Sequence, residues 1–245
     1  VPREVAGLED ARDISSGENH SCALTTAGTV KCWGNGLNGE LGDGTNHASR
    51  TPVTVSGILN ATGVSVGQAH SCAVLSSGDV WCWGNNAAGQ LGDGTTDRRS
   101  TPVRVSGISD AIAVAAADYH SCAVTGTGLV KCWGENGSGQ LGDGTTDGST
   151  TPQTVANIDD ATGVSSGRYH TCATRMAGTV ACWGSNGYGQ LGDGTTEFRP
   201  YAVGVEGLTD AVDVTTGDVH SCATRRSGTI VCWGSGYTGQ LGNGW

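Results

Sequence analysis

Apolar and polar residues alternate along this chain only in short bursts. Ala61, Val64 and Val66 mark one; Cys22 with Leu24 marks another, and Val30 with Cys32 a third. No stretch carries the 3.6-residue apolar spacing of an amphipathic helix. Between the bursts lie clusters of Gly, Asn, Asp, Ser and Thr, residues that favour turns through positive φ or side-chain bonds to their own backbone. Short alternating stretches separated by turns predict strands.

The bursts recur. His20, His70, His120, His170 and His220 fall at intervals of 50 residues, as do Trp33, Trp83, Trp133, Trp183 and Trp233. The units span approximately residues 1–50, 51–100, 101–150, 151–200 and 201–245, with no internal insertion, so neighbours should stack with nearly constant geometry. Each unit offers a hairpin, a Pro-Val-x-Val stretch (Pro52 to Val55) and a third stretch (Ala61 to Val66). Four short strands per unit predict one all-β domain, a β-propeller of five four-stranded blades.

The hairpin can be placed closely. His20–Thr25 runs into Thr26-Ala27-Gly28, and Thr29–Gly34 runs back. Glycine at position 28 suits a three-residue loop that ends in a left-handed residue. That loop sets Leu24 opposite Val30 and Cys22 opposite Cys32, at a pair where side chains approach closely. The same spacing pairs Cys72 with Cys82, Cys122 with Cys132, Cys172 with Cys182, and Cys222 with Cys232. Five local disulfides point to a secreted protein folded in an oxidising compartment. Metal binding is the rival reading, but nine residues between cysteines is not a zinc spacing, and each pair would need two further ligands. No metal and no cofactor is expected.

The ends complement each other. Val1 to Val5 aligns with the outer strand at Thr51 to Val55, while the fifth unit lacks that strand. Residues 1–5 are therefore expected to complete the last blade and close the ring. The alternative is a head-to-tail contact between molecules, making an extracellular fibre.

Composition narrows the partners. Glycine occurs 42 times, the formal net charge is −10, and only 13 residues are basic. Binding a phosphate backbone needs clustered Lys and Arg, so nucleic acid is excluded. No apolar run reaches the roughly 20 residues of a membrane helix.

The motif G-x-x-H-S-C-A, followed by G-x-V-x-C-W-G-x-N-x-x-G-Q-L-G-D-G, closely resembles the repeat of the regulator of chromosome condensation family. Gly67 to Ala73 and Trp83 to Gly92 show it well, and it covers essentially the whole chain. The resemblance implies a β-propeller with four-stranded blades. It does not imply one function: members include a chromatin-bound nucleotide exchange factor, a plant ultraviolet photoreceptor and a secreted bacterial inhibitor of β-lactamases. This chain departs in having five units where seven are usual, and a cysteine pair in every unit.

Candidate chemistry is sparse. The repeated histidines could converge on a channel and hold a metal or anion, but recurrence favours a structural bond to a turn backbone of the same blade. Asp43, Asp93, Asp143 and Asp193 sit in G-D-G-T turns, where each carboxylate is expected to cap its own turn. The repeat tryptophans read as packing residues; only Trp81 and Trp245 lie outside that position. A hydroxyl residue follows each repeat His directly, but adjacent strand residues face opposite ways and cannot pair locally. With no paired carboxylates, phosphate loop or HExxH motif, no enzyme is expected.

Positions that differ among the units mark loops free of packing duty. They are the pair before each His, the stretch after Trp-Gly, and the interblade loop. The fourth loop carries Phe198, Arg199 and Tyr201, including the only Phe. Aromatic and Arg residues dominate interface hot spots. These three, with Tyr119, Tyr169 and Tyr188, are the expected contacts for an as yet unidentified protein partner. Self-association through the ends is a second reading. A lectin is a third, though no loop aromatic recurs in all five units.

Overall fold

The structure is a computed structural model that describes residues 1–244; Trp245 lies outside the described residues. In blade 1 an inner strand, Ala11–Ser16, pairs with His20–Thr25, which pairs with Val30–Gly34, which pairs with an outer strand, Ser49–Thr54. Blades 2 to 4 repeat this, with inner strands Ala61–Val66, Ala111–Ala116 and Ala161–Ser166 and outer strands Arg99–Arg104, Ser149–Thr154 and Arg199–Gly204. Blade 5 has three strands, Ala211–Thr216, His220–Arg225 and Ile230–Gly234.

The hairpin takes the expected register, Leu24 opposite Val30 and Cys22 opposite Cys32. Gly28 adopts a φ of 77°, and its amide closes the turn on the Thr25 carbonyl at 3.0 Å. All five disulfides form within their hairpins, with Cα atoms 4.1 Å apart in four and 4.0 Å in the fifth. The outer strand begins three residues earlier than the Pro-Val-x-Val pattern indicates. A bulge after Cys32↔Val53 lets Gly34 pair with Ser49.

The core lies between blades. Leu24, Val30 and Leu41 of blade 1 meet Ala61, Val64 and Trp83 of blade 2, and equivalent clusters fill the next three junctions. Inner strands of consecutive blades touch, so they line the axis and the outer strands form the rim.

The histidines bridge these junctions instead of bonding a turn of their own blade. His20 Nε2 lies 2.8 Å from Ser71 Oγ on the next blade. The same bond joins His70 to Ser121, His120 to Thr171 and His170 to Ser221, at 2.7, 2.8 and 2.9 Å. Each hydroxyl donates to a carbonyl of the preceding blade: Ser71 to Glu40, Ser121 to Gln90, Thr171 to Gln140 and Ser221 to Gln190. The hydroxyl hydrogen is thereby used, and the imidazole Nε2–H must be the donor. The same carbonyls accept the indole N–H of Trp83, Trp133, Trp183 and Trp233. One clasp of four groups thus recurs at four junctions. Burial holds these rings neutral, pushing His20 and His170 down to about 4; at His70 and His120 burial, with the neighbouring histidines, pushes them to about 3.

The ring does not close as expected. Among the described residues, no comparable packing joins blade 5 to blade 1. Ile14 on blade 1 is 60% exposed where its counterpart Val64 is 9% exposed, and Ile230 on blade 5 is 68% exposed where Val180 is fully buried. Val1 to Val5 forms no strand and does not complete blade 5.

Candidate functional site

The register places the loops. His20 faces Gly34 and Ser16 faces Ser21, so the turn at 17–19 and the loop at 35–48 leave the blade at one end. The hairpin turn at 26–28 lies at the other end. Two of the three variable stretches therefore share one face of the propeller, and the third, the interblade loop, leads from that face into the outer strand.

At the axis of this face, Glu18, Gln68, Asp118, Arg168 and Asp218 line a cavity of about 370 Å³. Below it the backbones close in, because a Cβ on Gly67 would stand 2.0 Å from the Ala117 carbonyl oxygen. Arg168 Nε lies 3.5 Å from Asp118 Oδ2, and its guanidinium sits 5.1 Å from the centre of the Tyr169 ring. Burial, and then the negative charges of Asp218 and Glu18, push the Asp118 carboxyl up against the pull of Arg168. Three carboxylates face one guanidinium, so the mouth favours a cationic group or a hydrogen-bond donor. Among the described residues no cluster of His, Cys, Asp and Glu has the arrangement of a metal site.

The six expected partner contacts divide between two places. Tyr119 and Tyr169 are half-buried beside the axial mouth. Phe198, Arg199 and Tyr201 lie at and in the outer strand of blade 4, on the rim. Tyr188, in the loop after Trp183, meets Tyr237 of blade 5 edge to face at 6.4 Å. Arg199 is tied down, its Nε 2.8 Å from Asp193 Oδ2. The G-D-G-T turns are self-capped: Asp93 Oδ1 accepts both the amide and the hydroxyl of Thr95, at 2.9 and 2.7 Å, and Asp43, Asp143 and Asp193 repeat this. Burial raises the Asp93 and Asp193 carboxyls, but bonds from Thr95 or Thr195 and from Arg99 or Arg199 outweigh it and leave both below the usual range. The axial cluster of five residues was visible in sequence only as a variable position; that the five meet follows from the ring.

The family model of the RCC1-like domain matches residues 1–245. The chain belongs to the RCC1-like domain family. Among solved RCC1-like structures, Prp20p of Saccharomyces cerevisiae superposes with a TM-score of 0.84 at 23% identity, covering 96% of this chain and 60% of that one. Human WBSCR16 gives 0.83 at 24% identity, covering 91% and 60%. The ectodomain of the Arabidopsis thaliana receptor kinase ACR4 gives 0.55 at 20% identity, covering 93% and 64%. At these identities the likeness concerns fold alone, and the chain spans about 60% of the length of the first two. A comparison with curated proteins finds no match. The Prp20p structure was described together with binding to Gsp1p and histones.

Proposed function

We propose that this RCC1-like domain is a secreted, non-enzymatic scaffold that binds a protein partner on its loop face. One observation carries the reading: the variable turn before each repeat His and the variable loop after each Trp-Gly open on the same face. There the axial mouth and its half-buried tyrosines sit inside a rim with exposed aromatics, Phe198 and the Tyr188–Tyr237 pair. Rigid aromatic side chains around a polar, mainly acidic centre suit a protein surface that presents a Lys or Arg. Five disulfides support an extracellular setting. The imidazole–hydroxyl pairs do not support catalysis, since they are buried and each hydroxyl proton is already given to a carbonyl.

The test is capture of partners from the extracellular fluid of the native source, followed by affinity measurement on variants. Phe198→Ala with Tyr201→Ala should weaken binding by about 30-fold, as loss of roughly 2 kcal/mol of hot-spot contact requires. Asp118→Asn with Asp218→Asn should remove any preference for a basic partner residue. Undiminished binding in both variants would show that the partner sits elsewhere.

A further inference from the structure

Three asparagines stand two residues before a hydroxyl residue with no proline between them: Asn19-His20-Ser21, Asn60-Ala61-Thr62 and Asn136-Gly137-Ser138. That spacing is the acceptor pattern for N-linked glycans in proteins that pass through a secretory compartment. A finished glycoprotein must also leave the modified amide in solvent. The structure separates the three on that ground.

Asn136 is 1% exposed. Its Nδ2 donates to Asp143 Oδ1 and to the carbonyls of Thr145 and Asp147, and its Oδ1 accepts the Leu141 amide at 2.9 Å. A sugar on that nitrogen would break the loop it holds together. Asn19 is exposed, but it follows Glu18 in the turn beside the axial mouth. A glycan there would lie over the face proposed for the partner.

Asn60 differs from both. It is exposed, and among the described residues nothing bonds its side chain. The other four units carry aspartate at this position, and Arg175 holds Asp160 as Arg225 holds Asp210. Blade 2 has Leu75 where those arginines stand, so both charges are missing. The backbone beneath is fixed. Asn60 takes a φ of 59°, which asparagine tolerates better than most residues, and its carbonyl accepts the Ser76 amide at 2.9 Å. Its Cα packs against the turn of blade 1, 2.9 Å from where a Cβ on Gly28 would lie. These contacts are with hairpin turns, so Asn60 lies on the end of the blades opposite the loop face. The ground around it is open: a Cβ on Gly57 or Gly63 would meet nothing within 4 Å. Leu59 beside it is 63% exposed, an apolar side chain that packing leaves bare.

We propose that Asn60 carries an N-linked oligosaccharide on the face opposite the partner surface, an inference that rests on the secreted reading above. The donor is a lipid-linked pyrophosphoryl oligosaccharide. Asn60 Nδ2 forms a bond to the anomeric carbon of the first sugar, and the bond from that carbon to the pyrophosphate oxygen breaks. The lipid pyrophosphate leaves, and Nδ2 gives one proton to a base of the transferase. Transfer comes before Ala61–Val66 pairs with His70–Leu75. In the fold, the Thr62 hydroxyl that the acceptor pattern requires already donates to the Val74 carbonyl at 3.2 Å. The glycan then covers Leu59 and leaves the axial mouth and Phe198 free.

The test takes the protein from the extracellular fluid of its native source and treats it with peptide N-glycosidase in heavy-oxygen water, which turns a glycan-bearing asparagine into labelled aspartate. Tandem mass spectrometry should place the label at Asn60 and find Asn19 and Asn136 unlabelled. Asn60→Asp and Thr62→Ala, each produced in the same source, should abolish the label and bind the partner with wild-type affinity. The first installs the residue that the other four units carry, so the fold is kept. Extracellular protein with all five disulfides intact and Asn60 unlabelled overturns the site and leaves the loop-face reading standing. A label at Asn136 overturns it too, because burial would then not choose the acceptor. Protein held inside the cell with free thiols overturns the secreted reading, and the site with it.

Discussion

Ser121 shows how one hydroxyl holds two blades together. It accepts from His70, donates to the Gln90 carbonyl, and is fully buried. Ser121→Ala leaves the imidazole N–H without an acceptor inside the protein, which should cost about 1–3 kcal/mol in denaturant unfolding. Ser21 is the internal control, because no histidine reaches it from a preceding blade. Ser21→Ala should change stability by less than about 0.5 kcal/mol; equal losses at both positions would dismiss the clasp. Half of this device was legible in the sequence. Alternation on a strand says that His and the following hydroxyl point to opposite faces, which rules out a local pair. It also sends each His forward and each hydroxyl backward, but the partner, 51 residues on, appears only once the blades are stacked.

The hairpin was the most legible element, and local chemistry explains why. Gly28 fixes the turn, the turn fixes the register, and the register puts Cys22 against Cys32. The outer strand was less legible because its first residues are held by a bulge and a single Gly34↔Ser49 pair, with no apolar alternation to announce them. In blade 3 the bridge Cys122–Cys132 spans ten residues. Replacing both cysteines with alanine should lower stability by about 2 kcal/mol, since short loops gain least from a cross-link. Calorimetry of that variant should show a lowered but still cooperative transition. An unchanged transition would mean that hairpin packing alone sets the register.

The packing between blades was the feature least legible in the sequence, since side chains such as Trp83 and Leu41 meet across a junction only once the units stack. What the whole molecule adds is four copies of one buried, neutral imidazole. Each is depressed to about 3 or 4 from an ordinary value of 6.5. Below pH 6.5 the unfolded chain therefore binds protons that the folded protein refuses. Stability is complete above about pH 6.5 and falls as the pH drops toward the folded values, by up to about 1.4 kcal/mol per pH unit for each histidine. Denaturant midpoints measured from pH 7 to pH 4 should follow that slope, and a flat profile would contradict it. The direct measurement is nitrogen NMR of the imidazoles at pH 5, between the folded and unfolded values. Four rings should be neutral with the proton on Nε2, one for each junction between blades; four charged rings, or neutral rings protonated on Nδ1, would contradict the repeated clasp.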